Sequence, residues 1–382
     1  MSGLRGSAAV IGIGQAGLGE MPGHSALDIL GLSAEAALAD CGLKLSDVDG
    51  LFAATSFHCM PTVSVAEYLG IHPRFSDGSM IGGASFVAYL QTAAMALQAG
   101  LCEVALIAYG SNQRTAGGKL VSMTEPQPYE RQYGLRYPID AYALVTARHM
   151  HEFGTTREDL AAVAVAARDW ARLNTEAFRR GPLSVADVLG ARMVSDPLGV
   201  LDCCLVTDGG GAAVMVRVER ARDFPQPPAY FLGGATELSH RSIAAMPDLT
   251  RTAATRSGAA AYAMAGLGPA DVDVVELYDA FTINTILFLE DLGFCPKGEG
   301  GRFVQDGAIA PGGRLAVNTN GGGLSCVHPG MYGIFLIVEA VRQLRGACGA
   351  RQVAGADVAL VHGNGGAFST QVSAILGTEA VL

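Results

Sequence analysis

The chain has 382 residues, with 26 Lys and Arg against 36 Asp and Glu, for a formal net charge of −10. Only 16% of the residues are charged and half are hydrophobic, against about 25% charged in an average soluble domain. That excludes a disordered chain and calls for a large core and a buried subunit interface, while the acidic balance speaks against nucleic acid as the main partner.

The first residues, MSGLRGSAAVIGIG, run straight into an apolar strand with neither a long apolar leader nor a small-residue cleavage site. No run approaches about 18 apolar residues, so no membrane span is expected. Residues 26–52 predict an amphipathic helix, a turn at Gly42-Leu43, and a strand entered through Asp47-Val48-Asp49. Gly82-Gly83-Ala84-Ser85 then opens an apolar helix that ends at Ala99-Gly100, and a strand follows from Glu103. Residues 111–200 hold Arg/Glu-rich helices such as Arg157–Ala177 and read as an insertion covering one face. The Pro-rich DFPQPPAY at 223–230 marks a boundary.

Beyond that boundary the pattern returns. Residues 251–277 give an Ala-rich helix, a turn at Gly266-Leu267, and a strand entered through Asp271-Val272-Asp273. Gly322-Gly323-Leu324-Ser325 repeats the Gly82 turn ahead of a helix over Gly333–Leu344 and a strand over Asp357–Leu360. Two ordered pairs of matching segments indicate duplication. The expected architecture is α/β, with halves at about 1–222 and 228–382. Each half contributes a mostly parallel sheet, the two sheets are related by a pseudo-twofold, and helices lie between and outside them. The eight cysteines are scattered and form no CxxC pair, so reduced thiols in a cytoplasmic protein are expected, without a metal site.

Three segments concentrate chemistry. The glycine turns at Gly82–Ser85 and Gly322–Ser325 are read as helix N-termini, whose free N–H groups suit an oxyanion or thioester carbonyl. The run NTNGGGLSCVHPGMYG places Asn318, Ser325, Cys326, His328 and Tyr332 among glycines, as in a functional loop. The run VVELYDAFTIN ends a strand at Tyr278 and Asp279; Asp279 could cap the following helix and Tyr278 could simply pack. His362 and Asn364 end a further strand at the same end of a parallel sheet.

At YDAFTINTILFLEDLGFCPKGEGGRFV, GGRLAVNTNGGGLSCVHPG and DCCLVTDGGGAAVM the chain resembles the thiolase superfamily. Within it, the chain is similar to the thiolase domain of sterol carrier protein X and to bacterial lipid-transfer-type relatives. The resemblance covers essentially the whole chain. It implies a duplicated five-layer fold, coenzyme A present only as part of an acyl-CoA substrate, no bound cofactor, and a homodimer. It also implies that the nucleophilic Cys position falls at Gly83, beside Ser85, and that His328 is the motif histidine. Tyr278 stands where thiolases carry Asn or His, and no Cys stands at the second catalytic position near Gly363 and Asn364. Some members of the family are retro-aldolases that split β-hydroxyacyl-CoA esters using tyrosines, together with a small zinc-ribbon/OB-fold partner.

The resulting expectation is an acyl-CoA lyase acting in lipid, steroid or aromatic side-chain breakdown. Tyr278 or Tyr332 would take the β-hydroxyl proton, with Tyr278 made more acidic by a nearby cation or helix ends. His328 would hold the thioester oxygen, and Asp279 and Ser85 would assist. Gly83, Ser325, Cys326, His362 and Asn318 would line the substrate. Thiolase or acyltransferase chemistry through a displaced Cys59 or Cys326, and a silent acyl-CoA-binding subunit, are the competing readings.

Overall fold

The computed structural model describes residues 3–56, 58–116 and 130–382, so part of the expected insertion lies outside the described residues. The first half runs β1 (Ala8–Gly19), α1 (Ala26–Cys41), β2 (Gly50–Ala53), α2 (Pro61–Leu69), β3 (Phe75–Asp77), α3 (Ser85–Gln98) and β4 (Ala105–Ser111). The insertion then adds α4 (Ile139–Phe153), α5 (Arg157–Leu173), α6 (Val185–Leu189) and a short ribbon of β5 (Met193–Ser195) with β6 (Leu198–Gly199), before β7 (Asp208–Arg217). The second half runs β8 (Ala229–Leu238), α7 (Ala254–Ala265), β9 (Val274–Leu277), α8 (Thr282–Asp291), α9 (Gly300–Phe303), β10 (Ala316–Val317), α10 (Gly333–Leu344), β11 (Val358–Gly365) and β12 (Thr370–Gly377).

Local chemistry sets these boundaries. At the start of α1, Ser25 Oγ accepts the Asp28 N–H while the Asp28 carboxylate accepts the Ser25 N–H. Gly42 then ends the helix in the left-handed region at φ 73°. In the second half α7 stops in the same way at Gly266, φ 66°, and both helices deliver a short buried strand, β2 or β9.

The strand order makes the duplication explicit. One half reads β3-β2-β4-β7-β1 and the other β10-β9-β11-β12-β8, so each strand has a counterpart in the same place. Strand β2 is parallel to β3 and β4, and β9 is parallel to β10 and β11. These are the strands joined by helical crossovers. The remaining pairs of the large sheet are antiparallel, for example β11 with β12, which only the turn Gly366–Ser369 separates. The two halves join edge to edge where Ala9 and Val10 pair with Tyr230 and Ala229.

Helices α3 and α10 touch each other and strands of both halves, whereas α1 packs on β1, β4 and β7 and α7 on β8 and β12. This is a five-layer arrangement with α3 and α10 at its centre. The helix over Gly333–Leu344 stands where the sequence placed it, but one expectation is corrected: Gly322–Cys326 forms a separate helical turn and not the N-terminus of that helix. Among the described residues no helix is long and apolar enough to cross a membrane.

Candidate active site

The central helices bring the site together at their N-terminal ends. A side chain at Gly333 would press into the Gly83 carbonyl oxygen, so α3 and α10 begin in contact. Strand β9 delivers Tyr278 to the same place. A methyl at Gly83 would stand 2.5 Å from Tyr278 Cζ and closer still to its hydroxyl. The phenol therefore occupies the volume that any side chain at position 83 would need.

The Tyr278 hydroxyl accepts the Tyr332 N–H at 3.1 Å and faces the Gly330 carbonyl at 3.4 Å. The second distance is long for an O–H donor, so its proton is only loosely held by the protein. The Tyr278 ring stands edge-on to His328 (5.6 Å between centroids) and to Tyr332 (5.7 Å), and His328 stacks on Tyr332 at 6.0 Å. The His328 backbone is pinned from both sides by Thr207, whose hydroxyl accepts its N–H at 3.0 Å and whose N–H donates to its carbonyl. Its Nε2 is buried and has no hydrogen-bond partner. Burial pushes the His328 pKa down to about 4, opposed by a hydrogen bond from the ring to its own backbone oxygen. A neutral ring with its proton on Nδ1 would leave the unpartnered Nε2 bare.

Burial also governs the phenols. Tyr278 is held well above the ordinary value of 10 by desolvation, then by the nearby Cys204 and Tyr142. The expectation of a more acidic Tyr278 is thus reversed. Neighbouring His328 is neutral, and the single Tyr332 N–H does not offset the loss of water. Desolvation raises Tyr332 as well, and its hydroxyl is spent on Asn320 Oδ1 at 3.0 Å.

The other sequence candidates turn into the framework. Asp279 does not cap α8. Its carboxylate accepts the Gly323 N–H at 2.6 Å and the Leu324 N–H at 3.3 Å, holding the turn that precedes His328. Burial pushes it up to about 7 against those bonds. Ser85 donates to the Gly82 carbonyl and accepts the Ile81 N–H, closing its own turn with no base beside it. Asn318 accepts the Leu277 N–H at 2.6 Å and so fixes the end of β9. Ser325 accepts Arg168 Nε from α5. Cys326 is buried against Asn174, with its thiol pushed up by desolvation. Both ring nitrogens of His362 have partners, Ser373 and Gln371. Cys59 is exposed, in the loop before α2. Among the described residues no group of His, Cys, Asp and Glu is placed to hold a metal ion.

Comparison with known proteins settles the family. Residues 235–378 match the model described as "Thiolase C-terminal domain-like". An acetyl-CoA acetyltransferase of Methanothermobacter thermautotrophicus is 35% identical over 95% of this chain and 97% of its own. The chain belongs to the thiolase superfamily. Within the superfamily it is also 36% identical to a steroid side-chain-cleaving aldolase of Thermomonospora curvata, covering 91% of this chain and 92% of that one. A 17-hydroxy-3-oxo-4-pregnene-20-carboxyl-CoA lyase of Mycobacterium tuberculosis is likewise 36% identical, over 94% and 96%. The solved structure of an Ltp2-ChsH2(DUF35) aldolase superposes with a TM-score of 0.89 at 35% identity, covering 98% of this chain and 99% of that one. Human mitochondrial 3-ketoacyl-CoA thiolase, at 15% identity, TM-score 0.72, and 98% and 99% coverage, shares the fold.

At position 83, where the resemblance puts the thiolase nucleophile, a glycine stands with Tyr278 packed on it, which leaves no room for a side chain. Two contributions went unseen in the sequence. Segment 203–207 runs along the site through backbone bonds to Ala280, Gly323 and His328. Tyr142 of α4 lies against Phe281, 4.3 Å between ring centroids. Tyr142 carries no motif, whereas segment 203–207 lies within the DCCLVTDGGGAAVM run, whose place at the site only the fold reveals.

Proposed function

We propose that this chain cleaves the carbon–carbon bond of a β-hydroxyacyl-CoA by a retro-aldol reaction, with no acyl-enzyme. The observation that carries the reading is the Tyr278 ring filling the side-chain space of Gly83. The buried thiols of Cys204 and Cys326, held protonated by desolvation, support it, because a thiolate is the nucleophile that the alternative requires. Relatives named as an aldolase and as a lyase support the same choice.

The protonation states suggest how the work divides. The bare His328 Nε2 takes the proton of the β-hydroxyl. The Cα–Cβ bond then breaks, its electron pair passes into the thioester as an enolate, and an aldehyde or ketone leaves. Neutral Tyr278 gives its proton to Cα, which completes the shortened acyl-CoA. The Tyr332 N–H stabilises the phenolate that remains until the imidazolium proton returns to it. Both groups begin neutral, so the net charge of the buried site is unchanged before and after turnover. This reverses the sequence expectation that a tyrosine takes the hydroxyl proton.

Two partners belong to the proposal. The likeness to the Ltp2-ChsH2(DUF35) aldolase supports a small DUF35-type subunit, consistent with the zinc-ribbon/OB-fold partner expected from the sequence. A homodimer would form along β3, one of the two edge strands of the large sheet, with Met60, Val63 and Met80 exposed in the segments around it in the chain. With its eight free thiols, the enzyme would work in the cytoplasm. The test is a panel of β-hydroxyacyl-CoA esters, assayed with and without the small partner, reading release of shortened acyl-CoA. Release that depends on free CoA and a β-ketoacyl substrate would make the protein a thiolase and overturn the reading. Binding without any release would make it a silent subunit and do the same.

A further inference from the structure

A line of buried polar side chains runs through β11 and β12 and ends at the site. Ser373 Oγ lies 2.9 Å from His362 Nδ1, and His362 Nε2 lies 2.9 Å from Gln371 Oε1. Gln371 Nε2 donates to Asn364 Oδ1 at 2.8 Å, and Asn364 Nδ2 donates to the Tyr142 hydroxyl at 2.8 Å. The Tyr142 hydroxyl donates to the Gly366 carbonyl at 2.9 Å.

With the Gln371 and Asn364 amides oriented as described, each bond has a definite direction. Gln371 Oε1 can only accept, so His362 Nε2 carries the ring proton and Nδ1 accepts from Ser373. Turning the Asn364 amide over would set its NH₂ against that of Gln371, so the two amides orient each other. All five bonds therefore point one way, and the last donor is the Tyr142 O–H. Hydrogen bonds in such a series strengthen one another in a buried setting. These side chains are buried in strands whose other members are largely apolar, and burying polar groups is costly unless they are satisfied. The chain is satisfied throughout and ends on one strong, fixed hydroxyl donor.

That donor lies close enough to Tyr278 to help hold its phenol un-ionised. A side chain at Gly82 would meet Gly365 Cα and Gly366 N at 2.8 Å, as one at Gly83 would meet Tyr278. Tyr278 thus packs on this turn directly, and Tyr142 reaches it through the Gly366 carbonyl that its hydroxyl holds. Asn284 links them: its Nδ2 donates to the Tyr278 carbonyl at 3.1 Å and its amide lies within hydrogen-bonding reach of Tyr142. Its Oδ1 is buried with no hydrogen-bond partner among the described residues, as is His328 Nε2.

We propose that Tyr142 is the oxyanion donor of the site. Its O–H leaves the Gly366 carbonyl for the thioester oxygen of the substrate and holds that oxygen as charge builds on it in the enolate. Asn364, Gln371 and His362 position Tyr142. No proton is transferred in this step, and the Asn364 N–H stays on the phenol oxygen throughout. The inference rests on the retro-aldol reading, which supplies the enolate.

The test uses two variants of the full-length protein, with its partner if the partner proves necessary. One is Tyr142→Phe, which keeps the packing on Phe281 and Phe368. The other carries 3-fluorotyrosine at position 142, a more acidic phenol and a stronger donor that leaves the fold intact. Two readouts are taken: cleavage of the β-hydroxyacyl-CoA, and solvent deuterium exchange at Cα of the shortened acyl-CoA, which reports enolate formation without bond cleavage. Tyr142→Phe should lower kcat and exchange together by about 10²–10³-fold with little change in KM, the size of a lost oxyanion donor. Fluorotyrosine should raise exchange by about two- to threefold. A Phe variant that keeps more than about a third of both activities, or a fluorotyrosine protein with unchanged exchange, would overturn the inference. Those results require an active wild type, whereas a wild type that neither cleaves nor exchanges would sink the retro-aldol reading itself.

Discussion

Replacing Gly83 by alanine tests whether the phenol truly fills the nucleophile's place. The added methyl would lie within 2.5 Å of three Tyr278 atoms, well inside van der Waals contact. The ring has little room to yield, because its hydroxyl is held by the Tyr332 N–H and its flanks face His328 and Tyr332. The backbone at Gly83 has little room either, with Gly333 seated on its carbonyl. Overpacking of a rigid core costs about 1–3 kcal/mol, and this geometry belongs at the upper end. Tyr278→Ala alone opens a cavity and costs about 3–5 kcal/mol. In the double variant the methyl occupies part of the vacated space, so the combined cost should fall short of the sum by about 1–3 kcal/mol. Urea unfolding of wild type, both single variants and the double variant, at constant m-value, measures this coupling. Effects that add within about 0.5 kcal/mol, or a Gly83→Ala protein as stable as wild type, would refute the packing argument.

Other consequences can be checked directly. Tyr278→Phe removes only a hydroxyl, so turnover should fall by about 10²–10⁴-fold while acyl-CoA binding, read by calorimetry, stays nearly constant. Cys59→Ser combined with Cys326→Ser should retain activity within about threefold, and a loss above about 100-fold without unfolding would restore a thiol mechanism. Asp279 is raised from an ordinary 3.8 to about 7, so its contribution to stability is full below 3.8 and is lost as pH rises through about 7. Asp279→Asn should therefore flatten the decline of the unfolding midpoint between about pH 4 and pH 7, the window set by those two values. His328, lowered from 6.5 to about 4, has the opposite sign: its contribution is full above 6.5 and is lost as pH falls through about 4. His328→Gln should reduce the acid-side loss of stability, and an unchanged profile would mean that the ring is not desolvated as described. Light scattering should give a dimer mass at micromolar concentration, and Met60→Asp with Val63→Asp should shift it toward monomer.

The architecture was legible because its signals are local and repeated. The Gly42 and Gly266 stops, each followed by an acidic turn and a short buried strand, recur in both halves. The second glycine turn misled for the same reason: Gly322–Ser325 reads like Gly82–Ser85, yet it is a turn of its own, set apart by the His328–Tyr332 loop from the helix at Gly333. The polar density of residues 318–332 and the strand end at Tyr278 pointed to the place, and the rings of Tyr278, His328 and Tyr332 do meet there. Residue roles were less legible. Asn318, Ser325 and His362 are polar and clustered in sequence, but each is committed to a framework hydrogen bond that only the fold reveals. The direction of the Tyr278 shift depends on how completely water is excluded, a tertiary property. Tyr142 lies in the insertion, more than two hundred residues from Asn364, and nothing in its neighbourhood marks it.

The central claim is that carbon–carbon cleavage here proceeds without a covalent acyl-enzyme. Intact mass spectrometry of the protein, acid-quenched during turnover of a β-hydroxyacyl-CoA, tests it most directly. The account predicts the unmodified protein mass at every time point while shortened acyl-CoA and a carbonyl product accumulate. A protein species heavier by one acyl group, formed and consumed at the rate of turnover, would contradict it.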